Sequence, residues 1–220
     1  MPDSTPTFNR DSISNTLFVA IGVSLVCSVF VAGAAVMLKP RQLLNEEQFR
    51  QRIILDVAGL YEPGIDIAEA YTAIEETTVE LGSGDPALVY LVTDGGELEQ
   101  VILPIEGAGL WGTMYGFLAV ESNGRLARGL QFYDHIETPG LGDAVDKPGW
   151  QQQWRGKRLY DDDGKPLIEV VKGPAPAGSD YQIDGLAGAT LTGRGVSIFV
   201  QHWIGDEGYG PYLKSLGGRE

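Results

Sequence analysis

Residues 183–196, IDGLAGATLTGRGV, set the hydroxyl of Thr190 among side chains too small to cover it. Gly188, Ala189 and Gly193 leave room for a second macromolecule to approach that oxygen closely. Just beyond, Val196, Phe199, Val200 and Trp203 recur at spacings of three, four and seven, which predicts an amphipathic helix starting at or just after Thr190. The first turn of a helix presents backbone N–H groups without intrahelical partners and the positive end of the helix dipole. Both favour a phosphate. The chemistry on offer is a phosphate ester on the Thr190 oxygen, with an anion site already around it. The plainer alternative is a threonine that only caps the helix, a common use of that residue.

Two other segments stand out by their glycines. In Gly109-Leu110-Trp111-Gly112-Thr113 an aromatic wall residue is flanked by glycines that let backbone N–H groups come close. The same residues also suit a glycine-kinked strand end with Trp111 in the core. Glu137-Thr138-Pro139-Gly140-Leu141-Gly142 is a turn by composition. Lys172 is a candidate counter-charge for a phosphate or a polar ring edge, and an exposed ion-pairing lysine is the alternative.

These segments need a scaffold, and the chain supplies one. Residues 87–93, 98–105, 114–122 and 125–133 are rich in Val, Leu, Ile and aromatics and predict strands, with another at 167–172. Asn123-Gly124 predicts a hairpin turn of the primed type. Ahead of them, Asn45-Glu46-Glu47-Gln48 reads as a capping box after a break at Pro40, leading to Phe49, Ile53 and Val57. Asp66 with Glu69 opens a second helix carrying Ile67, Tyr71 and Ile74. Residues 173–178 read as a surface connection and Asp161-Asp162-Asp163-Gly164 as an acidic turn. The expected fold class is α+β, one antiparallel sheet with flanking helices.

Residues 17–38 form a run of 22 without a charge. As a helix it spans ~33 Å, enough for the ~30 Å hydrocarbon core of a bilayer. It exceeds the apolar region of a signal peptide, usually about 7–15 residues, and predicts a retained single-pass anchor in contact with membrane lipid. The expected organisation is a polar tail at 1–16, a transmembrane helix at 17–38 and one domain at 43–220. Arg10 precedes the anchor while Lys39, Arg41, Arg50 and Arg52 follow it, a bias that by itself places the domain in the cytoplasm.

The net charge of -14 argues against nucleic acid as a partner. The only cysteine, Cys27, lies inside the apolar run, so the domain has no thiolate for a metal or an iron–sulfur cluster. His135 and His202 are the only histidines and lack a two-histidine metal spacing, so no metal site is expected. Redox chemistry, if any, must come from a bound organic cofactor or a ligand set without cysteine.

The Thr190 run resembles the flavinylation motif of the FMN-binding domain family, with Asp184, Gly188, Ala189 and Thr190 at the matching positions. Ala187 departs, standing where that family usually has Ser or Thr. The order of segments widens the resemblance to the C subunits of sodium-translocating NADH:quinone oxidoreductases. An N-terminal apolar run is followed by EGAGLWGTMYG at 106–116, ETPGLGD at 137–143 and the Thr190 motif. The G subunits of Rnf complexes share this order, but DKPGWQQQWRGK at 146–157 together with GLWG is more similar to the C subunits. The resemblance implies FMN bonded through its phosphate to Thr190 by an FAD-dependent flavin transferase. Leu110, Trp111, Gly112, Thr113, Glu137, Thr138, Gly140, Leu141, Gly142 and Lys172 would lie around the flavin. It also implies an electron-relay role beside other subunits of a respiratory complex, in the bacterial inner membrane with the domain in the periplasm. A membrane-tethered assembly module of the same fold, without flavin, is the alternative that Ala187 leaves open.

Overall fold

The structure, a computed structural model, describes residues 13–217, and the chain divides between Glu47 and Gln48 into two compact units. Helix α1 (Ile13–Val57) begins in the first. Its apolar stretch is exposed throughout and is long and apolar enough to cross a membrane. The helix runs on through Pro40, where the sequence predicts a break. A proline ring removes one intrahelical bond and crowds the preceding turn. That loss is small against a 45-residue helix, and prolines are tolerated within apolar helices. Asn45 to Gln48 consequently lie inside a helix and make no capping box. Of the predicted polar tail, residues 1–12 lie outside the described residues and 13–16 are already helical.

The second unit is built on a five-stranded antiparallel meander, in the order β1 (Ile74–Glu80), β2 (Pro86–Asp94), β3 (Glu97–Ala108), β4 (Thr113–Glu121), β5 (Ala127–Asp134). Alternation along the strands separates two apolar faces. Val101, Leu103 and Ile105 with Met114, Leu118 and Val120 belong to one core cluster. Ile102, Phe117 and Ala119 belong to another, closed by Ile54, Leu55 and Val57 at the end of α1. Short helix α2 (Ile67–Tyr71) starts on Asp66, whose carboxylate accepts from the Ala68 and Glu69 amides at 2.9 and 3.2 Å. It ends before Ile74, which opens β1 instead of extending the helix.

β1 has no counterpart among the expected strands: its three glutamates suit a solvated edge rather than a core strand. The β4–β5 turn also differs from expectation. Gly124 adopts φ +70° and its amide reaches Glu121 O at 2.8 Å, while no residue other than glycine has positive φ among those described. A primed turn needs positive φ at both central positions, so this is a type I turn closed by a left-handed glycine. Only β6 (Glu169–Val170) of the segment 167–172 is strand, and it pairs in parallel with β7 (Gln182–Ile183) outside the meander.

The Val101 and Leu103 face of the sheet is covered by α3 (Pro148–Gln151), α4 (Thr190–Ile204) and α5 (Gly210–Leu216), which bury Trp150, Val196, Phe199, Val200 and Leu213 in the same cluster. Two close approaches seat α4 on the end of β3. A side-chain carbon at Gly107 would lie 2.2 Å from Phe199, and one at Gly195 would lie 2.4 Å from Ala108 O. Glycine is required at both, and the start of α4 is thereby held next to the chain leaving β3.

Candidate functional site

Thr190 is the first residue of α4 and is exposed. The N-cap position belongs to Ala189, which makes no side-chain capping bond, so the cap alternative for Thr190 does not hold. With no cap, the first-turn amides stay open to an outside acceptor such as a phosphate. Ala187 and Gly188 are also exposed, and Gly188 takes φ +74°, which turns the chain sharply into the helix. Thr192 is different: it is fully buried, and its hydroxyl donates to Glu137 Oε2 at 2.5 Å. Of the two threonines, only Thr190 offers its oxygen to an incoming molecule.

The glycine-rich segments converge on this helix start. Glu137 is 5% exposed and its Oε1 accepts from the Leu110 amide at 2.8 Å and the Trp111 amide at 3.2 Å. Trp111 Nε1 donates to Thr138 Oγ1 at 2.8 Å, leaving the indole 63% exposed. Gly140, at φ +78°, turns the chain so that the Leu141 side chain lies against Gly188; a carbon added there would be 2.7 Å from Leu141 Cδ2. Gly142 backs onto Glu137 and Thr192, and Gly112 onto Ile136. Thr113, exposed, begins β4 opposite Ala108.

Asp184 and Lys172 stand differently. The Asp184 carboxylate accepts from the Ala175 amide at 2.7 Å and from Gln153 Nε2 at 3.1 Å, and its carbonyl accepts from Trp150 Nε1 at 2.8 Å. It anchors the chain entering the Thr190 run. It also ties down residues 173–178, so that loop is more than a connection. Lys172 is exposed, with no ion pair among the described residues. Its neighbours Val171 and Gly173 pack against Gly185, which keeps it beside the same run.

Three side chains at the site escape the sequence reading. Ile136 and Leu191 are exposed in the same segments that expose Leu141 and the start of α4, adding to the apolar surface of Leu110 and Trp111. Arg194 is exposed one turn beyond Thr190 at the i+4 position, on the same side of α4. The i+4 spacing is present in the sequence; the exposure of Ile136 is not readable there. His135 pairs with Asp146 at 2.9 Å and no cluster of metal-ligating side chains occurs among the described residues.

The residues present suit FMN. There is an exposed indole and two leucines for a ring, glycine turns without side chains in the way, open amides for a phosphate, and an accessible hydroxyl.

Comparison with known proteins agrees. The FMN-binding domain family matches residues 109–205, from the Trp111 loop to the end of α4. The C subunit of Na(+)-translocating NADH-quinone reductase from Yersinia pestis is 43% identical, over 94% of each chain. The proteins of that name from Vibrio parahaemolyticus and Pseudomonas aeruginosa are 40% and 41% identical, over 94% of this chain and 97% of theirs. Among solved structures, Shewanella oneidensis NqrC aligns with a TM-score of 0.73 and 28% identity, over 79% of this chain and 99% of that one. The C subunit from Parabacteroides distasonis aligns at 0.68 and 26%, over 80% and 96%. With relatives this similar along nearly the whole length, and the same fold in two solved structures, this chain belongs to the NqrC family, the C subunits of Na(+)-translocating NADH-quinone reductases.

Proposed function

We propose that this chain is a membrane-anchored electron carrier of a sodium-translocating NADH:quinone reductase, with FMN joined through its phosphate to Thr190. The observation that carries this reading is the contrast between an exposed Thr190 at an uncapped helix start and a buried, hydrogen-bonded Thr192. In maturation, the Thr190 oxygen attacks the FMN phosphorus of FAD and loses its proton. The phosphoanhydride bond breaks and AMP departs, so a flavin transferase is the required partner.

Once bound, FMN supplies one- and two-electron chemistry that no side chain here possesses. The protein's part is to hold and tune. Trp111, Leu110 and Leu141 give the ring an apolar wall, Thr138 fixes the indole, and the α4 amides with Lys172 and Arg194 supply positive potential for the phosphate. The exposure of Leu110, Trp111 and Leu141 would leave a bound flavin accessible to neighbouring subunits. A lone apolar helix whose only hydroxyl residues within 17–38 are Ser24 and Ser28 provides no ion path, so sodium passes through other subunits. Residues 17–38 anchor the chain in the bacterial inner membrane, and the domain faces the periplasm.

Intact mass of the purified chain tests attachment, and mass spectrometry of tryptic peptide 173–194 tests its place. The expected result is one FMN mass on Thr190. A chain without flavin, from cells that make the transferase, would support the flavin-free assembly module instead.

A further inference from the structure

Glu137 is a buried carboxylate reached by three separate stretches of chain. Burying such a group is unfavourable unless its oxygens are satisfied. Here the Leu110 and Trp111 amides donate to Oε1, and the Thr192 hydroxyl donates to Oε2. The fit is close on both sides. A side-chain carbon at Gly109 would be 2.4 Å from Oε1, and one at Gly142 would be 2.7 Å from Oε2. The Glu137 amide itself donates to His135 Nδ1 at 3.3 Å.

We propose that Glu137 is the positioning residue of flavin attachment: it clamps the Trp111 loop to the first turn of α4 and occupies the Thr192 hydroxyl, leaving Thr190 as the open acceptor. This rests on the attachment reading above. Both carboxylate oxygens are engaged by the protein, so Glu137 acts through the groups it holds. Without it, the loop bearing Trp111 loses its two amide anchors, and the turn bearing Thr190 loses its tie to that loop. The ring wall and the acceptor oxygen would then no longer be held in fixed relation.

The test uses the full-length chain in detergent, an FAD-dependent flavin transferase and FAD, with variants Glu137→Ala, Glu137→Gln and Glu137→Asp. Attachment rate is read by intact mass, and hydrogen exchange is followed at the Leu110 and Trp111 amides. Glu137→Ala should slow attachment by about tenfold to a hundredfold, the scale of misplacing a reacting group by ~1 Å. It should also speed exchange at those two amides while the β3 and β4 amides stay protected. Glu137→Gln keeps an acceptor for the amides and an NH₂ group for the Thr192 oxygen, and should restore most of the rate and the protection. Glu137→Asp, one methylene shorter, decides the matter if the alanine variant does not fold; it should show slower attachment with faster exchange. A folded alanine or aspartate variant with wild-type rate and wild-type exchange overturns the proposal. So does a glutamine variant that is slow yet fully protected, because charge and not the clamp would then be what counts. Wild-type protein that never acquires FMN would instead refute the attachment reading itself.

Discussion

Thr190 and Thr192 lie two residues apart in one helical turn and have opposite surroundings. Thr190 is exposed and caps nothing, so Thr190→Ala should abolish covalent FMN while changing stability by no more than about 0.5 kcal/mol, as for an ordinary surface site. In-gel fluorescence and a urea titration check the two halves. Thr192→Ala should still acquire the flavin on Thr190, more slowly because the tie to Glu137 is cut, and should strip Glu137 Oε2 of its donor at a cost of about 1–3 kcal/mol. Flavin found on Thr192, or a Thr190→Ala protein still flavinylated, would defeat the assignment. The same scale holds for Trp111: with its indole 63% exposed, Trp111→Ala should leave attachment intact and alter the flavin absorption spectrum and potential. An unchanged spectrum in a folded protein would remove Trp111 from the flavin wall. The motif spacing makes Thr190 legible in the sequence. The inward turn of Thr192 is not, because it depends on a carboxylate 55 residues away.

α4 shows how an element carries the site. Its apolar stripe is readable from spacing, and the helix lies where the stripe puts it. What places its first turn beside the Trp111 loop is the absence of side chains at Gly107 and Gly195, where backbone and ring come within contact distance. Gly195→Ala would set a carbon 2.4 Å from Ala108 O and push the helix off the strand. The expected loss is about 1–3 kcal/mol, typical of overpacking, with slower flavin attachment. Thermal melting and intact mass measure these effects. A melt and an occupancy like those of the wild type would show that the contact is slack. The four long strands are legible because their Val, Leu and aromatic runs face two cores. β1 and β7 are not, and β6 is only the middle of its expected strand: the first is a charged edge, and the others are two-residue pairings fixed by tertiary contacts. Pro40 misleads as a helix break because one lost bond weighs little in so long a helix. Asp184 fits the attachment motif by sequence, yet its grip on Gln153 and Ala175 emerges only in three dimensions.

At the scale of the whole molecule, two expectations follow from charge. Burial pushes the phenols of Tyr160 and Tyr209 up, and their hydroxyls donate to Ile204 O and Pro104 O at 2.8 and 3.0 Å. The unfolded phenols, near pKa ~10, lose their protons first. Stability should therefore hold below about pH 10 and fall as pH rises beyond it toward the folded values. Urea midpoints for the full chain at about pH 8 and about pH 11 measure the fall, and equal midpoints would contradict it. The second expectation concerns sidedness. Lys39 and Arg41 directly follow the apolar run, and by charge alone they would keep the domain in the cytoplasm. That bias governs short flanking loops, whereas long domains translocate largely regardless of charge. The domain here is long and acidic, and the resemblance of its motifs implies that it works outside. A reporter active only in the periplasm, fused after Glu220, should therefore be active, and the same fusion to a cytoplasmic reporter should be silent. The reverse pattern would put the domain on the cytoplasmic side.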